Sequence, residues 1–174
     1  MLTQKIENAL NDQINAEMYS SYLYLSMSAY FESLNLPGAA NWMQVQAREE
    51  MVHAMKFYRF VIERGGRVKL RGIQGPPTQW ASPLAVFQDT LKHEQSVTAR
   101  INALVDLVRD ESDHASEVFL QWFVSEQVEE EASADAVIKR LQLAADTPAG
   151  IFMIDQELAT RVFVPPPGTA DAGA

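Results

Sequence analysis

The sequence predicts an all-α protein, a four-helix bundle with a long crossover between the second and third helices and a short fifth helix at the C-terminus. Three observations predict it. Start and stop signals mark out four helical stretches of about 28–32 residues, each ~42–48 Å long at 1.5 Å per residue. Each stretch carries apolar residues at steps of three, four and seven, the spacing of one helical face. Shifting the chain by 77 positions lays Glu17, Glu50 and His53 on Glu94, Gln127 and Glu130, and Glu49 on Glu126. A repeated Glu … Glu-x-x-His pattern spread over four helices is how a bundle assembles a dinuclear carboxylate metal site in its core.

The elements follow in order. Thr3 can cap a first helix that runs to about Asn35, where Leu36-Pro37-Gly38 breaks it. A second helix begins near Gly38 and stops at the Gly65-Gly66 pair. The segment RVKLRGIQGPPTQWA is too irregular for helix and too long for an ordinary connection. Ser82-Pro83 then joins an N-cap to a proline at the first helical position and opens a third helix to about Arg109. Asp110 to Asp113 form a turn, and a fourth helix runs from about His114 to Ala144. Thr147-Pro148 repeats the start signal for a fifth helix through about Thr160. Two short loops make antiparallel hairpins, and the long crossover lets the second hairpin lie parallel to the first. Residues 1–163 are expected to form one domain and 164–174 a flexible C-terminal tail.

Composition narrows the function classes. The formal charge is −9, which disfavours nucleic acid or an anionic membrane as partner and suits a chain that attracts cations. There are no cysteines, so disulfides, iron–sulfur clusters and thiolate zinc sites are excluded. The N-terminus shows no apolar signal region and no apolar run approaches the ~20 residues of a membrane span, so a cytoplasmic location is expected.

Four acids sit where the core should be. The apolar stripes read Leu10, Ile14, Glu17, Tyr24, Phe31; Met43, Glu50, His53, Phe57, Val61; Phe87, Leu91, Glu94, Ile101, Val105; and Phe123, Gln127, Glu130, Val137, Leu141. A buried carboxylate costs several kcal/mol unless it is paired or holds a metal. No Lys or Arg lies in these stripes, so divalent cations are the expected partners. Carboxylates with one imidazole and no thiolate favour iron or manganese, with zinc as competitor. Glu50 and His53, at i and i+3, can bind one ion, with Glu17 completing its set. Glu94 and Glu130 would hold a second ion, Glu50 bridging the two.

At these residues the chain resembles a known family. NAEMYSSYLYLSMSAYF, REEMVHAMKF, ERGGRVKL, HEQSVTARIN and FLQWFVSEQVEEEA are similar to the non-haem ferritins of bacteria and archaea, and the likeness runs from about residue 3 to 163. The resemblance implies a ferritin-like diiron domain and a ferroxidase centre. Its first iron would sit on Glu17, Glu50 and His53, its second on Glu50, Glu94 and Glu130. Gln127 would be a hydrogen-bonding neighbour, and Tyr24 the adjacent tyrosine that supplies an electron or organises the site. Glu49, Glu126 and Glu129, with Glu130, match a third iron site. The implied activity is oxidation of Fe(II) by O₂ or H₂O₂, with Fe(III) stored as a mineral inside a homo-oligomeric shell of about 24 subunits. The alternatives are a non-storing diiron oxidase or peroxidase, and a haem-binding bacterioferritin variant.

Two departures qualify the resemblance. Met51 occupies the position at which bacterioferritins hold haem, yet Gln127-x-x-Glu130 departs from their Glu-x-x-His in the fourth helix. Haem is therefore not expected, and Met51 is read as a surface or subunit contact. Asp113 and Glu117 either line an iron channel or cap the fourth helix, with Leu120 where a further acidic ring is often found. Trp42 and Trp122 are expected to pack, and His93 and His114 to lie on the surface.

Overall fold

A computed structural model describes residues 1–144 and 147–165. It contains five helices: α1 (Gln4–Ser33), α2 (Pro37–Glu63), α3 (Pro83–Asp110), α4 (His114–Leu143) and α5 (Pro148–Leu158). Four of the five starts are capped as their residue types dictate. Thr3, Ser82, Asp113 and Thr147 each accept a hydrogen bond from the backbone N–H three residues on, at 3.1–3.3 Å. α1, α2 and α3 end alike, with a left-handed residue at Asn35 (φ 58°), Gly65 (φ 73°) or Ser112 (φ 56°). The next N–H then closes back on the last turn, as Gly66 does on the Val61 carbonyl at 2.8 Å. The tail expected from residue 164 lies, beyond Pro165, outside the described residues.

α1 pairs with α2 and α3 with α4, and α5 packs mainly on α2. The crossover is laid along α1 by side chains. Asn11 donates to the Arg67 carbonyl at 3.0 Å and accepts from the Lys69 N–H at 2.6 Å. Farther up the helix, Ser26 donates to the Pro77 carbonyl and Tyr30 to the Trp80 carbonyl. The strand-like segment therefore travels the length of the bundle, and α3 starts at the same end as α2.

The core is divided in two. One apolar cluster gathers Tyr24, Phe31, Met43, Phe87 and Leu141; the other gathers Leu10, Ile14, Phe57, Ile101 and Phe123. Each of the four long helices crosses from one cluster to the other. The crossing points are Glu17, Glu50 with His53, Glu94, and Gln127 with Glu130, all buried. The bundle thus carries a polar layer across its middle.

Candidate metal centre

Every member of that layer comes from the interior face of a long helix. Glu17, Glu50 and Glu94 are each 1% exposed, His53 2% and Glu130 6%. Among the described residues, three buried polar atoms have no hydrogen-bond partner: Glu17 Oε2, Glu50 Oε2 and His53 Nε2. Glu17, Glu50 and His53 each offer one ligand atom within 4.8 Å of the others. A second set, His53, Glu126 and Glu130, meets the same limit. Unpartnered buried acceptors facing one small space are what a cation binds and what a purely structural network avoids.

The other lone pairs are occupied in an orderly way. Gln13, one turn before Glu17, donates to Glu17 Oε1 at 2.8 Å. Gln46, one turn before Glu50, donates to Glu130 Oε2 at 2.7 Å and more weakly to Glu50 Oε1 at 3.4 Å. Glu94 accepts from the Tyr24 hydroxyl on one oxygen and from Gln127 Nε2 at 3.1 Å on the other. Thr98 accepts from the same amide and donates to Glu131. The His53 ring stands edge-on to Trp122 and Phe123, which hold its orientation.

Electrostatics show a strained set of acids. Burial, then repulsion from Glu50, pushes Glu17 well above the usual carboxylate range. Burial with the charges of Glu94 and Glu130 does the same to Glu50. Glu130 is raised to about 8, by burial and then by Glu94. Glu94 is raised by burial against the lowering effect of its Tyr24 and Gln127 hydrogen bonds. Without cations these carboxyls share too few compensating charges, so burial shifts each of them toward its protonated form.

The structure brings Glu17, Glu50 and His53 together as the sequence predicts. Glu130 joins His53 and Glu126 in the second set, whereas Glu94 belongs to neither set, both its oxygens being hydrogen-bonded. Of the remaining acids, Glu129 is exposed and Glu49 pairs with Arg161 at 2.5 Å. Met51 is 42% exposed on the outer side of α2. Asp113 caps α4 and pairs with Arg64, and Glu117 pairs with Arg109, so both acids serve ion pairs within the chain.

One expectation is refined. His93 is half-buried rather than freely exposed: its Nε2 lies 2.8 Å from the Ser20 hydroxyl and its ring packs on Tyr19 and Tyr24. Burial, aided by Arg100, lowers its pKa to about 4, which keeps it neutral. His114 is exposed as expected. Sequence reasoning missed Gln13, Gln46 and Arg161. The two glutamines were findable, since each precedes a stripe Glu by four residues; Arg161 lies 112 residues from Glu49 and gave no such signal.

A four-helix bundle whose core is cut by converging carboxylates and one imidazole has the architecture of the bundles that hold metal ions on core carboxylates. Comparison with known proteins makes the class specific. Residues 7–144 match the ferritin-like domain family. The chain is 47% identical over 161 residues to a bacterial non-heme ferritin of Bacteroides fragilis, covering 92% of this chain and all of that one. It is 37% identical over 163 residues to the corresponding protein of Staphylococcus aureus, covering 94% and 98%. A closed form of Archaeoglobus fulgidus ferritin, engineered by site-directed mutagenesis, superposes with a TM-score of 0.93 at 51% identity, covering 94% of this chain and all of that one. The open-pore ferritin of the same archaeon gives 0.92 at 51% identity, covering 93% and 100%. The chain belongs to the non-haem ferritins of the bacterial and archaeal type, within the ferritin-like family. At that level its function is iron storage. No helix among the described residues is long and apolar enough to cross a membrane.

Proposed function

We propose that this chain is a ferroxidase that oxidises Fe(II) at the polar layer and deposits Fe(III) as a mineral inside a homo-oligomeric shell of about 24 subunits. The single observation that carries the reading is the convergence of Glu17 Oε2, Glu50 Oε2 and His53 Nε2, buried and unpartnered. These three take the first Fe(II). Glu50 bridges to a second Fe(II) held by Glu94 and Glu130, once Glu94 turns an oxygen away from Tyr24 or Gln127. Glu49, Glu126 and Glu129, with Glu130, offer a third position on the way out of the centre. Two Fe(II) give one electron each, reducing O₂ to hydrogen peroxide or hydrogen peroxide to water, with two protons consumed. Hydrolysis of the Fe(III) product releases protons, which the raised carboxyls can accept as iron leaves. Tyr24 keeps Glu94 oriented and stands beside the metals as a further electron source. Haem has no part in the reading, and the work is done in the cytoplasm.

Stopped-flow oxidation of added Fe(II) tests the roles. Glu50→Ala removes the bridge and is expected to slow the fast phase by more than about tenfold, the scale set by loss of even outer-shell metal partners. Glu129→Ala is expected to leave it nearly intact. The reverse order would overturn the assignment.

A further inference from the structure

The C-terminal segment reaches the metal centre through one residue. Asp155 of α5 accepts a hydrogen bond from the Ala39 N–H at 2.8 Å, and Asn41 donates to the Arg161 carbonyl at 2.9 Å, so the stretch from Asp155 to Arg161 is tied to α2 at both ends. The tie places the Arg161 guanidinium over the Trp42 ring, 4.3 Å from its centre. From there Nη1 donates to Gln46 Oε1 at 2.9 Å and to the Trp42 carbonyl at 3.4 Å, and Nη2 donates to Glu49 Oε2 at 2.5 Å.

Two consequences follow from the polarity of these bonds. Gln46 is fully buried, and an amide whose oxygen accepts from a guanidinium must turn its NH₂ the other way. That NH₂ is what holds Glu130 and Glu50. Glu49, meanwhile, has its charge met by a fixed guanidinium at the place where a third metal ion would need it.

We propose that Arg161 stands in for the third cation: an ion binds beside Glu49 only by displacing the guanidinium, and that displacement loosens the grip of Gln46 on Glu130 and Glu50. Arg161 is then a positioning residue that couples filling of the third position to the state of the dinuclear centre. The inference rests on the proposed dinuclear site and goes beyond it.

Anaerobic calorimetric titration of the metal-free, full-length protein with Zn(II), a redox-inert probe, tests the coupling. Arg161→Gln is expected to tighten the third ion by about tenfold or more, the range typical of outer-shell changes. The gain is expected to vanish in the Arg161→Gln/Glu49→Gln double variant. Two tight ions in wild type and variant alike, with third-ion affinity unchanged, would overturn the role of Arg161 alone. No tight ion in either protein would overturn the dinuclear reading and this inference with it. A crystal structure of the Zn(II)-saturated wild type needs no variant. It should show either Arg161 on Glu49 and no third ion, or a third ion and Arg161 swung away. An ion beside Glu49 with the Arg161 pair intact would contradict the proposal.

Discussion

Residues in the polar layer are acids whose charge burial disfavours, so either protons or cations must neutralise them. Glu17, Glu50, Glu94 and Glu130 all have carboxyl pKa values raised by burial, Glu130 to about 8 from an ordinary value of 4.5. A carboxyl raised in the folded state adds stability that is complete below its unfolded pKa and lost as pH rises through the folded one. His93, whose pKa burial lowers from 6.5 to about 4, works the other way up to about pH 6.5, so metal-free protein is predicted to lose stability between about pH 6.5 and 8. Glu7 and Glu117, whose pKa values are lowered by hydrogen bonds to the Arg67 backbone and to Arg109, are already ionised there and do not mask the trend. Urea unfolding in the presence of chelator, repeated across that range, checks the sign. A flat profile, or one rising with pH, would contradict it. Fe(II) added anaerobically is predicted to reverse the slope, because binding displaces protons and strengthens as pH rises. The periodicity of the stripes made these acids readable from sequence, since a Glu at an apolar position stands out. The hydrogen bonds that decide which oxygen each acid offers were not readable. Glu94 was placed correctly as a core acid, but its engagement by Tyr24 and Gln127 depends on side-chain rotamers that spacing does not encode.

Helices and loops carry the next level of the argument. Helix starts and stops were legible to within two or so residues because Thr3, Ser82-Pro83, Asp113 and Thr147-Pro148 are local signals whose hydrogen bonds form within one turn. The docking of α5 was not legible, since it joins positions more than 100 residues apart. Its hidden requirement is Gly38. A Cβ there would collide with the backbone carbonyl of Asp155, so only glycine lets α5 lie against the first turn of α2. Gly38→Ala is predicted to destabilise the protein by about 1–3 kcal/mol, the usual cost of overpacking a tight contact. It should also expose α5 to protease. Thermal unfolding and limited proteolysis check both effects, and unchanged behaviour in each would mean that α5 does not depend on this approach. The same docking carries Arg161 to Glu49, so an element with no metal ligand of its own still bears on the centre.

At the scale of the whole molecule, the proposed oxidation belongs to the bundle and the proposed mineral store to an assembly of copies. A dinuclear centre inside one chain can hold about two ions. Anything more must be kept elsewhere, in a cavity that many copies enclose. The outer side of α1 and α2 exposes Tyr22, Leu25 and Met51, apolar area of the kind that subunit contacts cover. Around 24 chains of 19.5 kDa make a particle on the order of 470 kDa. The most direct measurement of the central claim is iron retained per chain after stepwise aerobic addition of Fe(II), read on the fraction recovered by size exclusion. Retention far above two irons per chain, eluting with a particle of that size, is the predicted result. A plateau near two would keep the oxidation chemistry and contradict storage; no retained iron would contradict the metal centre itself.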